Sequence, residues 1–193
     1  MRCSNTHRSP VLKLSIVIAL AVMVSGCQDG GTDLGKNGAV KTSASSETFS
    51  GALGNNADLS TSAKLIDSAQ LGTAIDGEGS YTVFLPTNKA WESLDTAERQ
   101  TIESEESRPQ LIAVLRQHIA PGYVLAADLE RGLSKKDGSV TLSTMGAIPI
   151  TLHRDGKTIM LGKGNDVPRI VGLPIVAGND VIYRIDRLIP PPS

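Results

Sequence analysis

A run of β-branched and aromatic residues near the middle of the chain predicts a strand followed at once by a helix. The strand covers residues 81–85 and is largely buried, and it ends at Pro86 because proline cannot donate to a ladder. Thr87 then offers a side-chain oxygen to the free N–H groups of the next element. We predict that this element is a short helix over residues 88–94, with three residues on its inner side: Ala90, Trp91 and Leu94.

Apolar residues at three- and four-residue spacing predict further helices on both sides of this unit. One amphipathic helix begins at Asp58 or Ser60, either of which can cap it, and extends to Ala74. A second has capping-box spacing over residues 95–98, and a third has Pro109 in its first turn. The buried stripe of the third helix comprises Leu111, Ile112, Val114, Leu115 and Ile119, and residues 123–129 are predicted to be extended, with a turn at 126–128.

Beyond Gly138 the pattern changes from helical spacing to short strands separated by turn residues. The predicted strands cover residues 140–145, 148–152, 158–161, 169–176 and 181–188. Helices that precede a group of antiparallel strands are typical of an α+β domain, which is the fold class we predict.

The first residues of the chain have the pattern of a bacterial export signal. A positive start is followed by an apolar run over residues 14–24, which is too short to span a hydrocarbon layer that needs roughly 20 residues. Ser25 and Gly26 before Cys27 resemble a lipobox, and this resemblance implies cleavage before Cys27 and attachment of diacylglycerol to its sulfur. The alternative is ordinary secretory cleavage, with Cys27 incidental. We therefore predict a signal peptide at 1–26.

Composition indicates a flexible segment after the signal. Residues 28–54 are mainly small and polar, with almost nothing apolar to bury. We predict a tether at 27–48, with a typical reach of roughly 25–30 Å for a flexible chain of this length, followed by one domain at 49–192. No cysteine follows Cys27, so this domain has no internal disulfide.

Charge argues against a nucleic-acid partner. The signal carries three of the 19 basic residues and none of the 20 acidic ones, so the mature chain has a formal charge of −4. The longest basic run is Lys135-Lys136, whereas phosphate backbones need a dense cationic face.

Three sequence blocks together resemble the fasciclin-like domain family. They are YTVFLPTNKAWESL, LIAVLRQHIAPGYVLAADL and VAGNDVIYRIDRLIPP, in the family's order and over residues 49–192. The resemblance implies a fasciclin-like fold, a β-sandwich or wedge with several short helices packed around it. It also implies a secreted or surface-anchored module for adhesion and for binding of matrix or partner molecules, with no shared enzymatic activity.

The resemblance marks four residues of this chain as family-motif residues. Thr87 and Asn88 match the polar pair after the family's proline, His118 matches the histidine of the second block, and Asp186 falls in the last strand. From their positions alone, Thr87 and Asn88 are capping or bracing residues and His118 is a core histidine. Gln117 departs from the family, since many members carry an aromatic residue beside the histidine.

No pattern in the chain predicts catalysis. His118 and His153 are the only histidines after the signal, and neither has the neighbours of a metal site, so we predict no metal and no cofactor. The segment GKTIMLGKG at 156–164 lacks the spacing of a phosphate loop and is interpreted as a hairpin. Trp91 is interpreted as a core residue rather than as an anchor for a partner.

The leading hypothesis is a non-enzymatic, lipid-anchored envelope protein whose domain mediates adhesion or binds a protein or polysaccharide of the envelope or matrix. We expect a monomer outside the cytoplasm, at an outer membrane or cell surface. The alternative is a binding protein for a small apolar ligand, carotenoid-like or lipid-like, in a groove lined by Ile148, Ile150, Leu152 and Ile175. An enzyme has no positive support in the sequence.

Overall fold

The two inner strands of the first sheet are buried on both faces, because their alternate side chains enter two separate hydrophobic clusters. The computed structural model describes residues 46–135, 137–164 and 166–190. In it, β1 (Tyr81–Pro86) runs parallel to β7 (Asp180–Ile185). One face supplies Val83, Leu85 and Ile182 to a first hydrophobic cluster, and the other supplies Phe84, Val181 and Tyr183 to a second.

Two sheets and several short helices make up the described part of the chain. Strands β2 (Ile119–Pro121) and β6 (Ile175–Ala177) complete the first sheet, whose order is β2-β1-β7-β6. The second sheet is antiparallel, in the order β3-β4-β5, and comprises β3 (Ser139–Leu142), β4 (Ile150–Asp155) and β5 (Thr158–Leu161). The α+β class is confirmed. The parallel pairing of β1 with β7 was not predicted.

The helices cover the first hydrophobic cluster and one end of the second. Their bounds are α1 (Phe49–Gly54), α2 (Ser60–Ser68), α3 (Gly72–Ile75), α4 (Asn88–Glu92), α5 (Thr96–Glu103), α6 (Arg108–Gln117) and α7 (Ala126–Leu133). Short 3₁₀ turns lie at Ala57–Leu59 and Glu105–Ser107. The predicted cap of α5 is confirmed, since the Asp95 carboxylate accepts the Glu98 N–H at 2.8 Å.

The prediction of one long helix from Asp58 to Ala74 was wrong. Gln70 has a φ of 57°, in the left-handed region, so the chain leaves α2 there and starts α3 in a new direction. Asp58 caps neither helix. Its carboxylate instead accepts the Arg184 Nη1–H at 3.0 Å.

Two boundaries in the second sequence block were also predicted wrongly. Helix α6 ends at Gln117, and Ile119 belongs to β2 rather than to the helix. Residues 126–133 form α7 instead of an extended stretch with a turn. The four-residue spacing of Leu129 and Leu133, both buried in the second cluster, is the helical signal that was overlooked.

The predicted strand over residues 169–176 is interrupted. Arg169 and Ile170 make single bridges to β5 and β7, and the chain becomes a strand again only at Ile175. The predicted strands over 140–145 and 148–152 are offset from β3 and β4 by up to three residues. The hairpin interpretation of residues 156–164 is confirmed for its first half, where β4 and β5 pair in antiparallel register.

Helix α1 was not predicted at all. Thr48 caps it by accepting the Gly51 N–H at 3.1 Å, and Phe49 and Ala52 are completely buried in the first cluster. Among the residues that the structure describes, no helix combines the length and apolar character needed to cross a membrane.

Candidate functional site

Thr87 caps α4, and Asn88 links α4 by hydrogen bonds to the segment at the start of α2. The Thr87 hydroxyl oxygen accepts the Ala90 N–H at 3.3 Å and so caps α4. The Asn88 amide donates to the Ala57 carbonyl at 2.8 Å, and its oxygen accepts the Thr61 N–H at 3.0 Å. Both polar groups of Asn88 are therefore engaged in bracing α4 against the start of α2.

Trp91 is enclosed beside this brace. Its side chain is 3% exposed, and its indole N–H donates to the Ser62 hydroxyl at 2.8 Å. Ser62 in turn donates to the Pro86 carbonyl at 2.6 Å. The ring packs in the core, as its spacing predicts, and is not exposed to a partner.

Asp186 fastens the chain just after β7. Its carboxylate accepts the Arg169 N–H at 2.8 Å, and its own N–H donates to the Arg169 carbonyl at 3.1 Å. The side chain thus continues a strand-like pairing beyond the end of the ladder.

His118 connects the end of α6 to the last described segment of the chain. Its ring is 1% exposed, Nδ1 lies 2.7 Å from the Val114 carbonyl, and Nε2 lies 3.0 Å from the Ile189 nitrogen. Because an N–H can only donate, Nε2 must accept from Ile189, so the proton of the neutral ring is on Nδ1. Burial lowers the pKa of His118 to about 4, against which its bond to Val114 acts in the opposite direction.

Gln117 holds the loop that contains Ile148 through its side-chain amide. Its side chain is 2% exposed, and its amide oxygen accepts the Ile148 N–H at 3.3 Å while its amide nitrogen donates to the Ile148 carbonyl. A side-chain amide can imitate a neighbouring strand in this way, whereas an aromatic ring cannot. A Cβ at Gly146 would lie 2.4 Å from the Gln117 oxygen, which explains the glycine there.

These two adjacent residues each hold a segment of the chain that forms a wall of one groove. Gln117 holds the Ile148 wall, and His118 holds the Ile189 wall. The groove has a volume of about 580 Å³, and its described lining residues are Gln117, Ile148, Pro149, Ile150, Thr151, Leu161, Gly162, Lys163, Val167, Ile189 and Pro190. This groove is the candidate functional site, since its walls are mainly apolar yet open to solvent.

The groove differs from the one expected from the sequence. Ile148 and Ile150 line it as expected, but Leu152 is completely buried in the second cluster. Ile175 packs against the first cluster, on the other side of the first sheet. The four residues therefore do not share one cavity.

Asp180 is a buried carboxyl group that the sequence did not single out. It is 1% exposed and accepts the Tyr81 N–H at 2.8 Å, which ties the β6–β7 hairpin to the start of β1. Burial raises the pKa of Asp180 to about 6, and the nearby Asp76 acts in the same direction. Among groups facing it, the Tyr81 N–H opposes the shift.

Replacing Asp180 with asparagine should alter the pH dependence of stability. The carboxyl group titrates at about 6 when folded and at 3.8 otherwise, so it makes the wild type less stable as the pH rises through this window. The asparagine side chain keeps an oxygen for Tyr81 but has no charge. We expect the free energy of unfolding of D180N, relative to that of the wild type, to rise by about 1–3 kcal/mol from pH 4 to pH 7, as measured by urea unfolding. An unchanged difference across this range would contradict the assignment.

An exposed leucine that is not part of the groove lining lies on a loop whose backbone is held by an arginine. Leu173 is 80% exposed, and its carbonyl accepts the Arg184 Nη2–H at 3.2 Å. Arg184 is itself held by Asp58, and Gly172 has a φ of 70° that brings its Cα close to the guanidinium group. The loop therefore presents a large apolar side chain from a fixed base.

The described residues contain no group of histidine, cysteine and carboxylate side chains that could hold a metal ion. His153 lies on β4 and belongs to no such group among these residues. The groove residues Lys163, Val167 and Ile189 were not predicted, because their proximity depends on long-range pairing. Gln117 was noted in the sequence only as a departure from the family pattern. A polar residue beside a histidine predicted to be buried is the signal that could have identified it as a groove residue.

Comparisons with known proteins agree with the architecture. A family model described as the Fasciclin domain matches residues 57–191. The chain is 28% identical to protein sll1483 of Synechocystis sp., over 79% of this chain and 73% of that protein. It is 27% identical to human periostin over 67% of this chain, a match that spans only 14% of periostin.

A solved structure shares the fold. The FAS1 domain pair of the insect cell adhesion molecule Fasciclin I matches with a TM-score of 0.57 and 17% identity. The match covers 75% of this chain and 51% of that one, so this chain corresponds to about half of the pair.

Proposed function

The chain belongs to the fasciclin domain family, and from this membership we propose that it is a non-enzymatic binding module for a protein or polysaccharide of the cell envelope or surrounding matrix. Fasciclin I, which has the same fold, is a cell adhesion molecule, and this supports an adhesive role. The proposal gives the chain no cofactor and no nucleic-acid partner.

The observation that carries this proposal is the contrast between the motif residues and Leu173. The polar groups of Thr87, Asn88, His118 and Asp186 are hydrogen-bonded within the domain. Leu173 is instead exposed on a loop whose backbone is held by Arg184, and a loop that is already ordered loses less entropy on binding than a mobile one. We therefore place the partner contact at the loop that carries Leu173.

The test compares attachment of cells that carry the wild type, L173S and Y123S. Tyr123 is the matched control, because it is also an exposed large side chain, at 38%, and lies outside this loop. We expect L173S to reduce attachment to a matrix-coated surface and chemical cross-linking to an envelope partner, while Y123S behaves as wild type. Equal attachment by wild type, L173S and a strain lacking the protein would contradict the proposal.

Anchoring through Cys27 is part of the proposal, although Cys27, the signal and most of the tether lie outside the described residues. Two or more acyl chains hold a protein stably on a membrane, whereas one chain holds only marginally. We expect Cys27→Ser to move the protein from the membrane fraction to the soluble exported fraction, by fractionation and labelling with a fatty-acid analogue. A C27S protein that stayed acylated and membrane-bound would exclude this anchor.

Binding of a small apolar ligand is a second candidate function, and the groove beside Gln117 favours it. Ile148 is 45% exposed there, and it lies in a groove whose other lining residues include Pro149, Val167, Ile189 and Pro190, so its apolar surface is part of a larger one. Protein purified without detergent should then carry an extractable apolar compound, measurable by mass spectrometry. Its absence from protein with an intact fold would count against this function.

A further inference from the structure

We propose that the groove walled by Ile148 and Ile189 binds a long-chain anionic amphiphile, with its apolar chain along the groove and its acidic head at Lys163. The inference rests on the second candidate function and names the ligand class for that site. It differs from the partner contact at Leu173, which lies on another loop.

The walls provide an apolar track. Ile148, Pro149, Val167, Ile189 and Pro190 contribute aliphatic surface, and neither carboxylates nor aromatic rings occur among the described lining residues. A volume of about 580 Å³ is within the range of small-molecule sites, roughly 300–1,000 Å³. An apolar chain that covers Ile148 removes solvent-exposed aliphatic surface, which favours binding.

Charge complementarity decides the head group. Lys163 is the only charged side chain among the described residues that line the groove, and it is exposed at the lip. Within the described structure Lys163 makes no ion pair, whereas Asp166, three residues further along, is ion-paired with Arg187. An acidic head group would therefore meet a free ammonium group and no competing carboxylate from the lining.

The lip and both walls are fixed before any ligand arrives. The Gly162 N–H, next to Lys163, donates to the Thr151 carbonyl at 2.7 Å. Gln117 fixes the Ile148 wall, and His118 fixes the Ile189 wall. Preorganisation of this kind reduces the entropy lost on binding.

The experiment uses the full-length C27S protein, exported, purified and stripped of bound lipid. Titration calorimetry is carried out with dodecanoate, dodecanol and butyrate, and sedimentation with phosphatidylglycerol vesicles. The variants are K163Q and I148D, with K157Q as a matched control because Lys157 is an exposed lysine outside the groove. Ile148 is partly exposed, so I148D should fold, and circular dichroism checks this.

We expect dodecanoate to bind more tightly than dodecanol, and butyrate not to bind. K163Q should weaken dodecanoate binding roughly threefold, the scale of an exposed ion pair, and leave dodecanol unchanged. I148D should weaken both long-chain ligands by roughly tenfold or more, because a carboxylate would have to be desolvated beside an apolar chain. K157Q should match the wild type.

Each other outcome overturns the inference in a recognisable way. Equal affinity for dodecanoate and dodecanol would show that the acidic head group does not contribute to binding, but would leave the second candidate function in place. If neither dodecanoate nor dodecanol bound, both the proposed site and the second candidate function would be contradicted. Binding that I148D does not change would place the ligand elsewhere, and binding of vesicles without dodecanoate would indicate a lipid surface instead of a groove.

Discussion

Replacing His118 with phenylalanine is expected to lower the free energy of unfolding at pH 7 by about 2–5 kcal/mol. The ring of phenylalanine fills a similar volume but offers neither a donor for the Val114 carbonyl nor an acceptor for the Ile189 N–H. A buried polar group left without its partner costs about 1–3 kcal/mol, and this substitution affects two.

The same substitution should change how stability depends on pH. Folded His118 titrates at about 4 and an unperturbed histidine at 6.5, so only the unfolded chain gains a proton between these values. The wild type therefore loses up to roughly 3 kcal/mol from this group as the pH falls through that window. Phenylalanine cannot be protonated, so H118F lacks this loss.

Two buried groups thus act in opposite directions over nearly the same pH range. His118 makes the fold more stable as the pH rises from 4 to 6.5, and Asp180 makes it less stable between 3.8 and 6. In the wild type these two contributions largely cancel. We expect H118F to become less stable as the pH rises from 4 to 6, and D180N to become more stable.

Urea unfolding at pH 4.5, 5.5 and 7 measures both effects. H153F is the matched control, since His153 is the other described histidine and is half-buried on β4. If H118F and H153F lost equal stability and kept the wild-type pH profile, His118 would not be the buried link described here. Loss of secondary structure in H118F at pH 7 would show only that the cost exceeds the stability of the domain, and H118Q then serves as the milder variant.

The sequence predicts elements best where the physical signal is local. The strand at β1 follows from its β-branched and aromatic residues and from Pro86, and the cap of α5 follows from Asp95 and Glu98, which lie three residues apart. The break between α2 and α3 depends on the left-handed backbone conformation of Gln70. Glutamine is not a residue type that favours this conformation, so the sequence carries no signal for the break. Propensity alone therefore extends the helix too far.

The groove lies at the limit of prediction from sequence. Ile148 and Ile150 were expected in an apolar groove, because they are close in sequence and aliphatic. Val167 and Ile189 join them only because β5 bridges to Arg169 and because the His118 ring holds Ile189. Such contacts depend on tertiary pairing, which a local pattern does not contain.

Replacing Phe49 with alanine is expected to cost about 3–5 kcal/mol, although the surrounding sequence offers little that is apolar. Phe49 is completely buried, and it belongs to the first cluster together with residues of α2, α3 and β1. Removing a buried ring loses its transfer free energy and leaves a cavity that surrounding side chains fill only in part. The composition of residues 28–54 hides this role, because one aromatic residue among small polar ones barely changes an average.

Thermal and urea unfolding of F49A, compared with L173A, measures the contribution of α1. Leu173 is the control because it is also a large apolar residue but is 80% exposed, so its truncation should change stability by less than about 0.5 kcal/mol. A single cooperative transition at a lower denaturant concentration in F49A would show that α1 unfolds with the core. If F49A and L173A had the same midpoint, α1 would be an appendage, and the cooperative domain would begin after Gly54.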